Sequence, residues 1–339
     1  MTRSPVNLND IARLAGVSKM TVSKALNSQP GVSAQTSDRI FQIAKKLGYT
    51  PHHAARKLAG GKTNIIGIVV PSMDSSFMSD VVHGIGMVLE QSGLDLLLFT
   101  DHVKPHQDRM FFASRGLVDG LLLVLPLSLE RYNQTQLQNP LQMVVIEPIT
   151  KDVNVPVVSS ENYLSSRKAI EHLLELGHTS IGMIGGEPGV KSSHIRLQAY
   201  KDALKAAGIA VDDNLIRDGD FTQLRGFGAT NELLDLEQPP TAIFAANDLA
   251  AFGAYDAIKN RGLRIPEDIS VIGFDDIFQA SQVFPPLTTV RQPASEMGMA
   301  GTRVLLSMIQ GLEPATNHLE LPTELIVRLS TAVPKYQVN

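Results

Sequence analysis

The 339-residue chain carries 30 Lys/Arg against 34 Asp/Glu, a formal net charge of −4, and no cysteine. That length asks for two or three compact units, each able to bury a core. The lack of cysteine excludes disulfides, thiolate metal sites and cysteine nucleophiles together, no run of 18 uncharged apolar residues is present to span a bilayer, and the first residues lack the apolar stretch of a secretion signal. A cytoplasmic protein without a membrane segment is expected. The modest net charge hides a split, since residues 1–62 hold ten Lys/Arg and two Asp/Glu while the remainder holds 20 and 32. A small basic head is joined to an acidic body, and a basic head of this size suits nucleic acid.

The first helix is predicted to start at Leu8, with Asn7 as N-cap and Asp10 closing a variant of the capping box. Over Ile11 to Asn27 two short helical patterns meet at Gly16, which permits the tight turn, and Ser18 can cap the second. Val22, Ala25 and Leu26 recur at helical spacing and are expected to face Ile11, Leu14 and Val17 across the turn. The polar side of the second helix presents Lys19, Met20, Ser23 and Lys24. This is the pattern of a helix-turn-helix, whose second helix can enter a DNA major groove. A third helix follows Ser33, with Ile40, Ile43, Ala44 and Leu47 on one face and Gly48 as its stop. Tyr49-Thr50-Pro51 breaks it, and the short amphipathic piece His52 to Leu58 is expected to order only when something holds it.

Two glycine-rich motifs invite nucleotide-binding readings. The GGKT of residues 60–63 ends like a phosphate loop, but the first glycine of that motif would fall at Arg56 and the strand follows instead of preceding. GMIGGEPG, residues 182–189, spaces its glycines G-x-x-G-G-x-x-G and not G-x-G-x-x-G, so a flexible loop after a strand is the better reading.

From Ile65 onward, apolar runs alternate with helical segments. Strands are predicted over 65–70, 94–100, 118–125, 143–146, 181–184, 242–245 and 269–274, with helices over 77–91, 165–176, 195–207 and 248–261. Continuous apolar strands alternating with helices indicate parallel sheets covered on both faces, here in two doubly wound units. Ligands are expected where the strand C-termini open.

Taken together, DIARLAGVSKMTVSKALN, VSAQTSDRI, LGYTPHHAARKLAGGKT with IIGIVVP, AIEHLLELGHTSIGMIGG, TAIFAANDLAAFGAYDAIKNRGLRIPEDISVIGFDDI and FPPLTTVRQP resemble, in order and spacing, the lactose-repressor and galactose-repressor (LacI/GalR) family of bacterial regulators. The resemblance implies a helix-turn-helix head (residues 1–48), a hinge helix (49–62) and a two-lobed core like the periplasmic sugar-binding proteins (63–339). The first lobe would comprise 63–161 and 292–322, and the second 162–291 and 323–339, with crossings near Glu161, Arg291 and Thr323. It further implies a homodimer that holds a near-palindromic operator, most often as a repressor, and a small, sugar-like effector in the cleft between lobes.

Site residues carry over position by position. Lys19, Met20 and Lys24 match the family's base readers: lysine can donate to guanine, and Met20 offers an apolar surface suited to a thymine methyl. Ser18, Thr21, Ser23, Asn27, Ser33 and Thr36 match positions used on phosphates. Leu58 matches the leucine wedged into the minor groove and Ala55 its neighbour, while His52 replaces the family's usual Asn. In the cleft, Arg196, Asn247 and Asp275 match the second lobe's ligand contacts, Phe221 the aromatic under the ligand ring, and Phe77 and Asp74 the first lobe's contribution. Glu161 stands where the family usually has Asp. A guanidinium fork, an amide and a carboxylate together can hold vicinal hydroxyls.

His172 and His178 belong to a recurring HLxxxGH string and read as structural. No metal-ligand cluster or nucleophilic triad has its supporting context, so no catalysis, metal or cofactor is expected. Two alternatives stand beside this reading. One is the same fold with a phosphorylated carrier protein as corepressor, for which Gly301 to Gln310 offers only Arg303 as a cation. The other is a sugar-binding protein or enzyme with an incidental basic head.

Overall fold

The computed structural model describes residues 6–26, 30–49, 62–100, 116–126, 141–150 and 153–335. The chain divides into a unit ending at Thr63 and a larger one beginning at Asn64.

The small unit is three helices, α1 (Leu8–Ala15), α2 (Lys19–Leu26) and α3 (Ala34–Lys46). Asn7 accepts from the Asn9 amide at 2.8 Å and its own amide donates to Asp10 at 3.1 Å, so the capping box is formed. Gly16 ends α1 with φ 63°, a left-handed conformation that a side chain would strain. Ser18 then accepts from the Thr21 amide at 3.1 Å to start α2.

Ile11, Ala12, Ala15, Val22, Ala25, Ile40 and Ala44 form the buried centre of this bundle. The predicted role of Leu14 in it is corrected, because Leu14 is 57% exposed. At 100° per residue the buried face of α1 passes through Leu8, Ile11, Ala12 and Ala15, and Leu14 falls off its edge.

The large unit holds two six-stranded sheets. The first is ordered β11-β5-β4-β3-β1-β2, built from β1 (Ile65–Val70), β2 (Asp95–Thr100), β3 (Gly120–Val124), β4 (Gln142–Ile146), β5 (Val157–Ser160) and β11 (His318–Leu321). The second is ordered β12-β10-β9-β8-β6-β7, from β6 (Ile181–Ile184), β7 (Ile216–Arg217), β8 (Ala242–Ala245), β9 (Ser270–Asp275), β10 (Thr288–Arg291) and β12 (Glu324–Ile326). Every pairing is parallel except that of β12 with β10. Central strands such as β3, β6 and β8 are buried along their whole length, as helices on both faces require.

Helix α4 (Ser76–Ser92) packs with α9 (Ala294–Ile309) on the first sheet. Helices α5 (Asn162–Glu175) and α6 (Lys191–Ala206) pair on the second, as do α7 (Gln223–Leu234) and α8 (Asp248–Asn260). The chain passes from the first sheet to the second at Glu161, returns at Gln292 and passes over again at Pro322 and Thr323. Three crossings placed side by side make a hinge and leave a cleft at the C-terminal ends of the strands.

Both histidines of the HLxxxGH string hold the second lobe together. His178 is buried between Thr241 at 2.8 Å, Ser270 at 3.1 Å and the Ala332 carbonyl at 2.9 Å, and His172 lies 3.0 Å from Thr331. Burial lowers the pKa of each. A neutral His178 can donate from Nε2 to Ala332 and accept at Nδ1 from the Thr241 hydroxyl, which ties the segment that follows β12 to the second lobe.

Candidate functional sites

A cavity of about 300 Å³ opens between the lobes, walled by Phe77, Glu147, Arg196, Phe221, Asn247 and Asp275 among others. The backbone delivers these side chains in an unusual way. Leu125, Glu147, Phe221 and Asp275, all on the cavity, have φ of 45°, 52°, 64° and 125°. Non-glycine residues rarely adopt such values, and each costs of order 1–3 kcal/mol, so their concentration at one cleft marks a built site.

The polar groups of the wall bind one another across the hinge. Arg196 is buried, donates from Nε and Nη2 to Asn162 Oδ1 at 3.0 and 2.8 Å, and from Nη1 to the Ala246 carbonyl. Its guanidinium lies 3.6 Å over the Phe274 ring. Asn162 passes the chain on, donating to Glu147 at 2.9 Å, which also accepts from the Ser160 amide at 3.0 Å. The Ser160 hydroxyl donates to Gln292 Oε1 at 2.6 Å, and Gln292 Nε2 donates to Asp275 at 2.6 Å. A hydrogen-bond chain therefore runs from Arg196 to Asp275 through residues at two of the three crossings, with Glu147 accepting from both sides.

Burial sets the titration of this chain. It raises the pKa of Glu147 against the opposing Ser160 amide and Arg196, and raises that of Asp275 to about 6 against Arg196 and Gln292. Burial lowers the pKa of Arg196, against Asp275 and Glu147. Asp248, held just behind by the Ile277 amide at 2.9 Å and by Thr289, is raised by burial and then by Asp275.

On the head, α2 turns Lys19 and Met20 to solvent, and Met20 is 68% exposed while Val22 and Ala25 fill the core. Lys24 is half-buried, folded toward Gly31. Ser18 and Thr21 share a 2.9 Å hydroxyl pair at the start of α2, and Ser33 and Thr36 a 2.8 Å pair at the start of α3. These hydroxyls and amides gather at two helix N-termini, the arrangement that favours anionic oxygen. Ser23 lies half-buried on α2. Asn27, His52, Ala55 and Leu58 lie outside the described residues.

Two family models match the chain, bacterial regulatory proteins of the lacI family over residues 7–52 and a periplasmic binding protein-like domain over residues 170–331. The repressor CytR of Escherichia coli K12 is 36% identical over 330 residues, 96% of each chain. This chain belongs to the LacI family.

The repressor PurR of Haemophilus influenzae is 30% identical over 95% of this chain and 98% of its own. Among solved structures, the lac repressor dimer bound to operator and the anti-inducer ONPF matches with a TM-score of 0.84 at 29% identity, covering 97% of this chain and 100% of that one. The complex of the regulator CelR with cellobiose matches at 0.73 and 33%, covering 96% and 99%. As a LacI-family member the chain is a DNA-binding transcriptional regulator and not an enzyme.

Of the cleft residues expected from the family pattern, Phe77, Arg196, Phe221, Asn247 and Asp275 share one cavity, and two do not join it. Asp74 is exposed on the loop before α4, its amide bonded to Ser72. Glu161 sits at the first crossing, where it begins α5 without a side-chain cap, and its neighbour Asn162 turns inward instead. The expected guanidinium fork is also redirected, because Arg196 grips Asn162 and a carbonyl of its own lobe.

Asn247 likewise caps α8 and donates to the Phe221 carbonyl at 2.9 Å. The residues that were missed are Glu147, Ser160, Asn162 and Gln292. Only RQP hinted at one of them, since a lone Glu after a β-run reads as a turn. GMIGGEPG finds its explanation here too: a Cβ on Gly186 would strike the Phe221 ring, so the glycine makes room for that aromatic.

Proposed function

We propose that this protein is a cytoplasmic, homodimeric repressor that holds an inverted-repeat operator through Lys19, Met20 and Lys24 and is governed by a small carbohydrate-like effector bound between the lobes. The observation that carries the effector half is the cavity itself, with Phe77 and Phe221 as apolar walls and a hinge-spanning hydrogen-bond chain as its floor. A ligand there touches both lobes and the groups that join them, so its differential affinity for two lobe arrangements is what can shift DNA binding. Solved relatives hold cellobiose and ribose, which supports a sugar. No helix among the described residues is long and apolar enough to cross a membrane.

The DNA half rests on exposure. Met20 has no reason to face water in a free three-helix bundle, and an apolar tip between two lysines suits a groove lined by guanine acceptors and thymine methyls. Ser18, Thr21, Ser23, Ser33 and Thr36, with Asn27, would fix register on phosphates, and Ala55 and Leu58 would open the minor groove at the centre.

A dimer is supported by an apolar surface on the second lobe. Leu224, Phe278 and Phe284 are 82%, 77% and 81% exposed on segments tied together by Gln223–Asp256 and Lys259–Phe284 hydrogen bonds. The lac repressor was solved as a dimer on its operator, and a second copy covering this surface would supply the symmetric pair of heads that an inverted repeat needs.

The phosphoprotein alternative finds little support on the first lobe. The segment Gly301 to Gln310 carries Arg303 as its one cation, thin support for a phosphate site.

The test is operator binding by full-length protein and by Lys19→Ala/Met20→Ala. The double variant should lose on the order of 100-fold or more of specific affinity while keeping its ligand-induced thermal shift. Unchanged operator affinity would overturn the assignment.

A further inference from the structure

The cavity meets a ligand with far more negative charge than positive. Three of the five N–H groups of Arg196 go to Asn162 and Ala246, Asn247 gives an Nδ2 hydrogen to Phe221, and Gln292 gives an Nε2 hydrogen to Asp275. The carboxylates each keep uncommitted lone pairs. Asp275 takes a hydrogen bond on Oδ1 alone, Glu147 Oε1 takes only that of Asn162, and Asp220 is engaged only on Oδ1, by Thr222. Four carboxylates (Glu147, Glu187, Asp220 and Asp275) line the space, and among the described residues Arg196 is the sole cation that does.

Resting on the reading of this cleft as the effector site, we infer that it selects its effector by charge. Polyhydroxyl compounds that are uncharged or carry an amino group are admitted, Asp275 and Glu147 receive their O–H and N–H groups, and phosphorylated or carboxylated ones are refused. Carboxylates that outnumber the cations of a low-dielectric cavity attract donors and cations and repel a further anion much more strongly than they would in water. An amino group would meet the uncommitted oxygen of Asp275 without displacing any bond of the hinge chain. A phosphate or uronate would instead bring a further negative charge against Glu147 and Asp275, with Arg196, already shared with Asn162 and Ala246, as the one lining cation among the described residues to offset it.

Burial raises the pKa of both Asp275 and Glu147, with Arg196 opposing each shift, and Glu147 adds to that of Asp275. At the rim, Asp220 and Glu187 are exposed and extend the same sign of field outward, so anions are disfavoured before they reach the floor.

The experiment measures binding of matched sets to the full-length protein at pH 7.5 and one ionic strength. Each set holds a neutral hexose (glucose, galactose or mannose), its 2-amino derivative, its uronate and its 6-phosphate, read by thermal shift and then by Kd. For any ring that binds, the amino and neutral members should bind at least about tenfold more tightly than the two acids. In Asp275→Asn the preference for amino over neutral should shrink by about threefold or more and the acids should gain. Asp220→Asn, at an exposed position, keeps the comparison open if the buried variant fails to fold. A uronate or phosphate that binds more tightly than its neutral parent, or ratios unchanged in both variants, would overturn the charge selection. No shift from any member of any set, with operator binding intact, would overturn the carbohydrate reading and the inference with it.

Discussion

The reading helix and the cleft put their polar groups to opposite uses. On α2, Lys19 and Met20 stand in solvent and support nothing in the fold, whereas in the cleft Arg196, Glu147 and Asp275 are held in one another's hydrogen-bond chain and support the hinge as well as the site. A groove-reading surface must be free until DNA arrives. A sensing cavity must already be connected to what it moves. Function and stability are therefore separable in the head and inseparable in the cleft.

Arg196→Met against Lys19→Met makes the sharpest break in that contrast. Loss of Arg196 leaves Glu147, Asp275 and the Asn162 carbonyl oxygen without their buried cation, and should cost about 3–5 kcal/mol in urea unfolding. Lys19→Met should stay within about 0.5 kcal/mol while weakening operator binding. Equal stability losses would dissolve the distinction.

Within the head, Ile11→Ala should cost about 2–4 kcal/mol, and Leu14→Ala, at a position 57% exposed, less than about 0.5. Circular dichroism melts of the two variants check this. A large loss at Leu14 would restore it to the core that its spacing first suggested.

The cleft should also show itself in pH dependence. Asp275 has a folded pKa of about 6, above the ordinary 3.8, so the folded state binds its proton more tightly between those values. The wild type should thus lose stability relative to Asp275→Asn as pH rises from about 4 to about 6, with no further change above. Urea midpoints across that window decide the sign, and a wild type that gains instead would mean that pairing with Arg196 outweighs burial. A smaller loss than that of Ile11→Ala is expected at Ser33→Ala, where removal of the cap on the Thr36 amide should cost about 1 kcal/mol of head stability in the same circular dichroism melts.

The same contrast explains what could be read without coordinates. Helix periodicity, the Asn7 capping box and the Ser33 cap were visible in the sequence because they depend on neighbours within four residues. The central strands were visible because full burial demands unbroken apolar runs. The short strands β5, β7, β10, β11 and β12, at a sheet edge or next to one, carry two to four residues with charges or hydroxyls among them, and register against a neighbour is what makes them strands.

In the cleft, Phe77, Arg196, Phe221, Asn247 and Asp275 were legible through strings such as GDF, AND and IGFDD. The partners that redirect Arg196 were not. Glu147, the Ser160 and Asn162 pair, and Gln292 come from three separate places in the chain and meet only at the hinge. Leu14 fails for the converse reason, since its i+3 spacing from Ile11 fits a stripe whose centre the bundle places elsewhere.

The division of labour between head and cleft is tested most directly by selecting duplexes from a randomised pool with the full-length protein. An inverted repeat should be enriched, its half-sites centred about one helical turn or a multiple of it apart, with enrichment abolished in Lys19→Ala/Met20→Ala and retained in Asp275→Asn. A pool that shows no symmetric motif, or the same motif with the double variant, would contradict it.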